Sequence, residues 1–163
     1  MIIGVAGGSG CGKSVLCNKI EKLLAPYCTV IVLSYDNYYK DKEEVDEQCG
    51  GNWDCPEALN THILVEHLKE LKQGRSIVVP FYDFATNRQI QELAQEIKFE
   101  PGTMGVLLVE GLMVLYDEDL RNMIDIRIFI DWYFSPLMLK GKMISHSDFC
   151  QRRRYSIHAS SRS

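Results

Sequence analysis

The stretch Gly7-Gly8-Ser9-Gly10-Cys11-Gly12-Lys13-Ser14 spells G-x-x-x-x-G-K-S. An apolar run at 2–6 precedes it and an amphipathic segment at 15–24 follows it, which predicts a strand, a glycine-rich turn and a helix in that order. Glycines let successive backbone N–H groups point at an anion, and the positive end of the following helix faces the same charge. The sequence therefore predicts a phosphate cradle that binds a nucleoside triphosphate.

Each part of this loop has an expected role. The Lys13 ammonium is expected to reach the β- and γ-phosphates, and the Ser14 hydroxyl to ligate the Mg²⁺ that bridges them. The alternatives are a chance match and a dinucleotide-binding turn, and the second is disfavoured because no three glycines stand at G-x-G-x-x-G spacing. The expected nucleotide-binding residues are Gly7, Gly8, Ser9, Gly10, Cys11, Gly12, Lys13, Ser14 and Val15.

Composition bounds the class of protein. The 163 residues are 46% hydrophobic and 25% charged, which is ordinary for one globular domain with a real core. The net charge of −4 is uneven, because residues 1–130 carry 12 basic and 20 acidic side chains whereas residues 131–163 carry 6 and 2. A body this acidic would repel phosphate backbones, so we expect no nucleic-acid partner.

The cysteines and the apolar segments predict a cytoplasmic location. The six cysteines include no C-x-x-C pair and no histidine partner at zinc spacing, so they are interpreted as scattered reduced thiols. Cys11 lies inside the phosphate loop, where a lowered thiol pKa and an inert small side chain are both open. No apolar stretch is long enough for a membrane span, and the apolar N-terminus is expected to be a strand and not a signal peptide.

Strand and helix patterns alternate along the chain. Strands are predicted at 29–33, 76–79, 106–109 and 126–130, and a helix at 56–73. Residues 35–52 are polar and acidic and are interpreted as an excursion over the surface, while 88–99 fits a helix or a strand. The alternation predicts an α/β fold of the P-loop NTPase type: a parallel sheet flanked by helices, with ligands at the carboxyl ends of its strands.

Three carboxylates stand where such a sheet would bind ligands. Asp36 follows the second strand, Glu110 ends the strand at 106–109, and Asp54 lies in a loop before the predicted helix. Phosphoryl transfer needs acids to hold Mg²⁺ and to accept a proton from the acceptor hydroxyl. Each acid also has a purely structural interpretation: Asp36 in an Asx turn, Glu110 capping a strand end, and Asp54 as a helix N-cap with Glu57 three residues later.

Five blocks of sequence carry a family resemblance. They are GGSGCGKS at 7–14, LSYDNYYKD at 33–41, NWDCP at 52–56, VPFYDF at 79–84 and VEG at 109–111. In this order, over residues 2–130, they resemble the signature blocks of the uridine–cytidine kinase family, which is uridine kinase- and phosphoribulokinase-like. The resemblance implies phosphorylation of the 5′-hydroxyl of uridine or cytidine, with ATP or GTP as donor and Mg²⁺ as cofactor.

The resemblance also implies roles for individual residues. Asp36 would be the general base and a further group near Mg²⁺, Glu110 would be the Mg²⁺-linked acid, and Lys13 and Ser14 would keep the roles given above. The implied nucleoside site comprises Asp54 on the ribose hydroxyls, with Tyr39, Tyr82, Asn87 and Arg88 around the pocket. Asn87 stands where the family commonly has a histidine, so base preference is open, and a role as a turn residue is the alternative.

The sequence departs from the family after residue 130. Residues 131–163 are expected to be a divergent, poorly ordered basic tail that replaces the C-terminal lid region, with Arg152–Arg154 as its arginine cluster. Weak activity is expected without lid arginines. Three functions stay open: a pyrimidine nucleoside kinase, a kinase for another riboside such as nicotinamide riboside, and a nucleotide-binding remnant. A homo-oligomer or association with a full-length kinase is also open.

Overall fold

The computed structural model describes residues 1–99, 105–131 and 156–158. Its strands are β1 (Ile2–Gly7), β2 (Thr29–Ser34), β3 (Ile77–Val79), β4 (Tyr82–Asp83), β5 (Arg88–Gln89), β6 (Gln95–Ile97), β7 (Gly105–Gly111), β8 (Ile126–Ile130) and β9 (Ser156–His158). Its α-helices are α1 (Lys13–Leu24), α2 (Lys42–Cys49), α3 (Thr61–Lys72) and α4 (Glu118–Met123). Short 3-10 helices span Tyr35–Tyr38, Pro56–Ala58 and Gln91–Leu93.

The main sheet has the strand order β2-β7-β1-β8-β9. Neighbours among the first four strands are parallel, and β9 pairs antiparallel with β8. The predicted parallel sheet flanked by helices is therefore confirmed. Because β1 lies in the middle with β7 beside it, the loop that follows β1 and the acid that ends β7 meet at one edge of the sheet.

Apolar side chains cover both faces of this sheet. On one face, alternate residues of β1 such as Ile3 and Val5 pack with Cys17 of α1. On the other face, Ile2 packs in a cluster that includes Leu68 of α3 and residues of α4. Burial on both faces of β1 and β7 explains why these two strands appear as continuous apolar runs without polar alternation.

The expectation that residues 35–52 form a surface excursion is wrong in part. Tyr35, Tyr38 and Tyr39 are buried, and so is Val45 of α2. An aromatic ring can enter the core when its hydroxyl finds a partner, and the Tyr38 hydroxyl is 2.9 Å from Nδ1 of His67 on α3. This segment therefore builds one wall of the core before it returns to the surface.

The structure also changes the details of two predicted elements and decides one that was left open. The predicted helix at 56–73 begins only at Thr61, because a 3-10 helix forms first at Pro56–Ala58. The predicted strand at 76–79 forms at Ile77–Val79, but it pairs antiparallel with β6 in a separate two-stranded sheet. The undecided segment 88–99 contains β5, a 3-10 helix and β6.

The domain boundary expected at residue 130 stays a prediction, because most residues after 131 lie outside the described part of the chain. Of the predicted basic tail, Ser156–His158 forms β9 beside β8. The remaining tail residues and the arginine cluster at 152–154 lie outside the described residues, and so does the expectation that a C-terminal part is missing or replaced. Among the described helices, none has the length and apolar character needed to cross a bilayer.

Candidate active site

The glycine loop joins β1 to α1, and its first residue, Gly7, lies closely against the end of β8. A Cβ atom on Gly7 would lie 2.6 Å from the carbonyl oxygen of Ile130 and 2.8 Å from Sγ of Cys11, so no larger residue fits there. Gly12 has φ 94°, a left-handed conformation that glycine adopts without strain. Cys11 is buried, and Val15 is half exposed on the first turn of α1. The predicted loop residues therefore do form a turn between a strand and a helix.

Lys13 and Ser14 begin α1 and point to different partners. The Lys13 Nζ donates a hydrogen bond to the carbonyl oxygen of Gly8 across 3.0 Å, which holds the ammonium over the loop. The Ser14 hydroxyl donates to Oε1 of Glu110 across 3.3 Å. The two side chains thus place one positive charge and one hydroxyl at the mouth of the loop.

Glu110 is buried at the carboxyl end of β7. The residue is 8% exposed, and in the sheet it lies level with Val5 of β1 and Ser34 of β2. The pKa of Glu110 is raised, first by burial and then by the negative charge of Asp36, while Lys13 and hydrogen bonds from Ser34 and Ser14 act in the opposite direction. An acid held in this way remains a candidate for metal binding and not only a strand cap.

Asp36 lies in the 3-10 turn that follows β2. Burial raises its pKa, and the ammonium of Lys13 lowers it. Because the charge of Asp36 acts on Glu110 and that of Lys13 acts on both acids, the three groups form one electrostatic cluster. The predicted catalytic residues are therefore brought together by four elements: the loop with α1, β2, the 3-10 turn and β7.

The donor atoms at this edge suit a magnesium ion. Mg²⁺ prefers oxygen ligands, usually one or two from the protein with phosphate oxygens and water completing the shell. The Ser14 hydroxyl and the Glu110 carboxylate are hydrogen-bonded to each other, so one small cation could contact both oxygens. The predicted metal residues fit the ion in chemistry and in proximity, with Asp36 as the neighbouring acid.

Four aromatic rings line a region beside these acids. The Tyr39 ring centroid lies 5.7 Å from that of Trp53, 5.6 Å from that of Tyr82 and 6.4 Å from that of Phe84. The hydroxyl of Tyr82 is buried and has no hydrogen-bond partner within the described part of the chain. A buried hydroxyl without a partner costs free energy, so it points to a ligand that supplies one.

Asp54 lies at the same aromatic group. The pKa of Tyr39 is raised to about 12, first by burial and then by the charges of Asp36 and Asp54, so both acids are close enough to act on its hydroxyl. The alternative that Asp54 caps a helix is wrong, because Cys55 precedes the 3-10 helix there and no side chain caps it. Asp54 is exposed and free to meet a ligand.

Asn87 and Arg88 are placed differently from the other predicted pocket residues. Asn87 has φ 55°, which confirms that it is a turn residue, and its carbonyl accepts a hydrogen bond from the backbone N–H of Lys42. The Arg88 guanidinium forms an exposed ion pair with Glu43 of α2. The hairpin of β4 and β5 is thus fastened to the start of α2, and this fixes where Tyr82 lies.

Sequence reasoning missed three residues of this region. Trp53 and Phe84 belong to the aromatic group, and Ser34 supports Glu110. Trp53 directly precedes Asp54, and Phe84 follows Tyr82 by two residues. Both could have been found as aromatic neighbours of predicted site residues. Ser34 gave none, because a serine at a strand end is common and its contact depends on the register with β7.

This sheet, with a G-x-x-x-x-G-K-S loop between its central strand and α1, defines a P-loop kinase fold. A comparison with models of protein families identifies the family within this fold class. The chain belongs to the phosphoribulokinase/uridine kinase family, whose model matches residues 2–146.

Individual relatives agree with this assignment. The chain is similar to a uridine kinase of Clostridium novyi, with 38% identity over 133 residues, and to one of Staphylococcus aureus, with 40% identity over 132 residues. These alignments cover 80% of this chain and 61% of each relative. The fold also resembles the structure called "Possible Uridine Kinase" from Bacillus stearothermophilus, with a TM-score of 0.66, 20% identity and coverage of 86% of this chain and 73% of that one.

Proposed function

We propose that this protein transfers the γ-phosphate of ATP or GTP to the 5′-hydroxyl of a pyrimidine nucleoside, uridine or cytidine. One observation carries the proposal: the cluster of Lys13, Asp36 and Glu110 adjoins an aromatic region in which the buried Tyr82 hydroxyl has no partner among the described residues. The first part suits a triphosphate and its metal, and the second suits an aromatic base. The names of the relatives add support, although the chain spans only 61% of their length.

The donor half of the reaction would rest on the loop and on Glu110. Backbone N–H groups of the loop would hold the phosphates, and the Lys13 ammonium would bind the β- and γ-phosphate oxygens. Ser14 and Glu110 would hold a Mg²⁺ ion, which when bound neutralises charge that develops on the phosphates. Glu110 would do so as the carboxylate, which the Lys13 charge favours.

The acceptor half would rest on Asp36. A general base takes the proton of the attacking hydroxyl and works best when its pKa is not far below the working pH. Burial raises the pKa of Asp36 in that direction. Asp54 would orient the ribose by accepting hydrogen bonds from its hydroxyls.

The aromatic rings would hold the base. Tyr39 and Tyr82 would contact the pyrimidine, and Trp53 and Phe84 would close the region around them. The unpartnered Tyr82 hydroxyl would form a hydrogen bond to a polar atom of the nucleoside. Asn87 and Arg88 remain proposed substrate contacts, and Arg88 would first have to leave its exposed ion pair with Glu43.

Product analysis with a panel of ribosides tests the proposal. The full chain is incubated with Mg²⁺ and ATP or GTP, and uridine, cytidine or nicotinamide riboside is offered as acceptor, with ADP or GDP release and product mass as readouts. Uridine or cytidine monophosphate is expected. An Asp36→Asn variant should lose at least about 100-fold in kcat, whereas Asp119→Asn, an exposed acid on α4, should retain activity.

Other results would change the assignment in distinct ways. Turnover of nicotinamide riboside with inert pyrimidine nucleosides would favour the related kinase. ATP binding by calorimetry with no product from any riboside would contradict catalysis by this chain and favour a nucleotide-binding remnant, for which association with a full-length kinase can be tested by co-purification.

The remaining parts of the proposal concern location and partners. We propose a cytoplasmic enzyme without a nucleic-acid or membrane partner, in keeping with the acidic body of the sequence and with the free thiols among the described residues. Light scattering of the purified chain would decide between a monomer and a homo-oligomer.

A further inference from the structure

Three ligand-type side chains meet at the surface near residue 50. The Sγ atoms of Cys49 and Cys55 are 2.7 Å apart, and Sγ of Cys55 is 2.7 Å from Oε2 of Glu57. One ligand atom from each of the three lies within 4.8 Å of the others. The two thiols are half-buried and the carboxylate is exposed, so an ion can reach all three from solvent.

The fold makes this cluster out of residues whose spacing gave no signal. Cys49 ends α2, and the chain reverses through Gly50 and Gly51, which have left-handed φ values of 60° and 79°. The backbone N–H of Asn52 donates to the carbonyl of Cys49 across 3.1 Å, which fixes the turn. The chain then returns along α2 to Cys55, so the two thiols meet without a C-x-x-C motif.

We propose that Cys49, Cys55 and Glu57 form a binding site for a thiophilic divalent cation, with Zn²⁺ as the expected ion. Two thiolates and one carboxylate form a ligand set that zinc accepts, and water would complete a tetrahedral shell. Each thiol releases its proton to solvent as the metal–sulfur bond forms. The two thiolates and the carboxylate then carry three negative charges, which the two positive charges of Zn²⁺ largely neutralise.

Metal binding requires a small movement of the two cysteine sulfur atoms. Zinc–sulfur bonds of about 2.3 Å at a tetrahedral angle separate two thiolate sulfurs by about 3.8 Å. The sulfurs would therefore move apart by about 1 Å, which rotation of two half-buried side chains allows. A disulfide between the cysteines is the competing fate of this pair, but it would leave the converging Glu57 carboxylate without a role.

This site lies next to the proposed nucleoside region. Trp53 and Asp54 are within the segment that Cys49 and Cys55 would join, and Trp53 packs edge-on against Tyr39. A bound ion would therefore hold the segment that carries both residues. The metal site does not depend on the proposed phosphate transfer, because its ligands take no part in that reaction.

Cobalt spectroscopy on the full chain tests the proposal. Reduced, metal-free protein is titrated with Co²⁺, and Zn²⁺ is then added to the cobalt-loaded protein. The absorption band of thiolate-to-cobalt charge transfer is recorded throughout. One Co²⁺ per chain with a strong charge-transfer band, displaced by Zn²⁺, is expected. Cys49→Ser and Cys55→Ser should each abolish the band, and Glu57→Gln should weaken binding at least about 10-fold.

Controls separate this site from other thiols and from misfolding. Cys28→Ser alters a cysteine away from the cluster and should leave the titration unchanged, and circular dichroism should show that all variants remain folded. In a Trp132→Phe background, Zn²⁺ should change the fluorescence of Trp53. A fully reduced chain without a charge-transfer band, an unchanged band in the Cys49→Ser, Cys55→Ser double variant, or a Cys49–Cys55 disulfide that forms in preference to cobalt uptake would overturn the proposal.

Discussion

The hydroxyl of Ser14 donates a hydrogen bond to the carboxylate of Glu110 across 3.3 Å, although 96 residues separate them in the chain. Ser14 begins the helix after the glycine loop, and Glu110 ends the neighbouring strand β7. The contact therefore shows that the start of α1 lies beside the end of the strand that carries the acid. It also places the two proposed magnesium ligands side by side before any ion binds.

Glu110→Gln is expected to abolish phosphate transfer and yet stabilise the fold at neutral pH. Burial and Asp36 raise the pKa of Glu110 above its value in the unfolded chain. Between those two pKa values the folded state binds more protons, so stability falls as pH rises through that window. The free energy of unfolding, from urea denaturation, should thus exceed that of the parent at about pH 7 and match it below about pH 4. Glu118→Gln, an exposed acid on α4, is the control, and an unaltered pH slope in Glu110→Gln would contradict this account.

The acid limb of the pH–rate profile should report Asp36. Because burial raises the pKa of this base, kcat/KM should fall with decreasing pH at a pH above the ordinary range of an aspartate. Removing the nearby ammonium with Lys13→Met should move the residual limb to still higher pH, since Lys13 lowers the Asp36 pKa. Lys19→Met, on the exposed side of α1, should leave the limb in place. If the acid limb does not move in Lys13→Met, a group other than Asp36 is responsible for it.

Removal of the Tyr82 hydroxyl and removal of the Tyr38 hydroxyl should have opposite effects on stability and on the nucleoside KM. Tyr82→Phe deletes a hydroxyl without a partner among the described residues, so stability should be unchanged or higher, while the nucleoside KM should rise about 5- to 10-fold. Tyr38→Phe deletes the partner of His67 Nδ1, which should cost about 1–2 kcal/mol of stability and leave KM unchanged. Thermal melts and steady-state kinetics on both variants provide the measurement. Equal effects of the two substitutions on KM would show that Tyr82 does not contact the nucleoside.

Asn87 should tolerate glycine but not alanine. Its φ of 55° lies in the left-handed region, which glycine adopts freely and asparagine tolerates, whereas alanine is strained there. Asn87→Ala should lower the free energy of unfolding by about 1 kcal/mol, whereas Asn87→Gly should be close to neutral. Urea denaturation of the two variants checks this, and equal stability would mean that the turn relaxes at no cost.

Asp54→Asn should weaken recognition of ribose without affecting the fold. The side chain is exposed and caps no helix, so the melting temperature should not change. The parent is expected to prefer uridine over 2′-deoxyuridine, and the variant should lose about 10-fold of that preference. Glu47→Gln, an exposed acid on α2, serves as the control. A preference that survives in Asp54→Asn would assign ribose recognition to another group.

Local pattern was enough to predict the loop, β1, β2, β7 and β8, because each is a run of residues with one strong conformational preference. It was also enough to predict that Asp36 and Glu110 meet, since parallel strands bring their carboxyl ends to one edge. The burial of Tyr38 could not be predicted in this way, because it depends on His67 of α3, 29 residues later. Similarly, the ion pair of Arg88 with Glu43 could not be predicted from local pattern, because it depends on how the β4–β5 hairpin meets α2.

A Cβ atom on Gly7 would clash with the carbonyl of Ile130, so the first residue of the glycine loop lies directly against the end of β8. Displacement of that strand end would be transmitted directly to the loop. Mechanical load applied to the chain just beyond Ile130, by a folded neighbour or by an engineered tether, would therefore reach the start of the phosphate-binding loop through β8 and its neighbour β1.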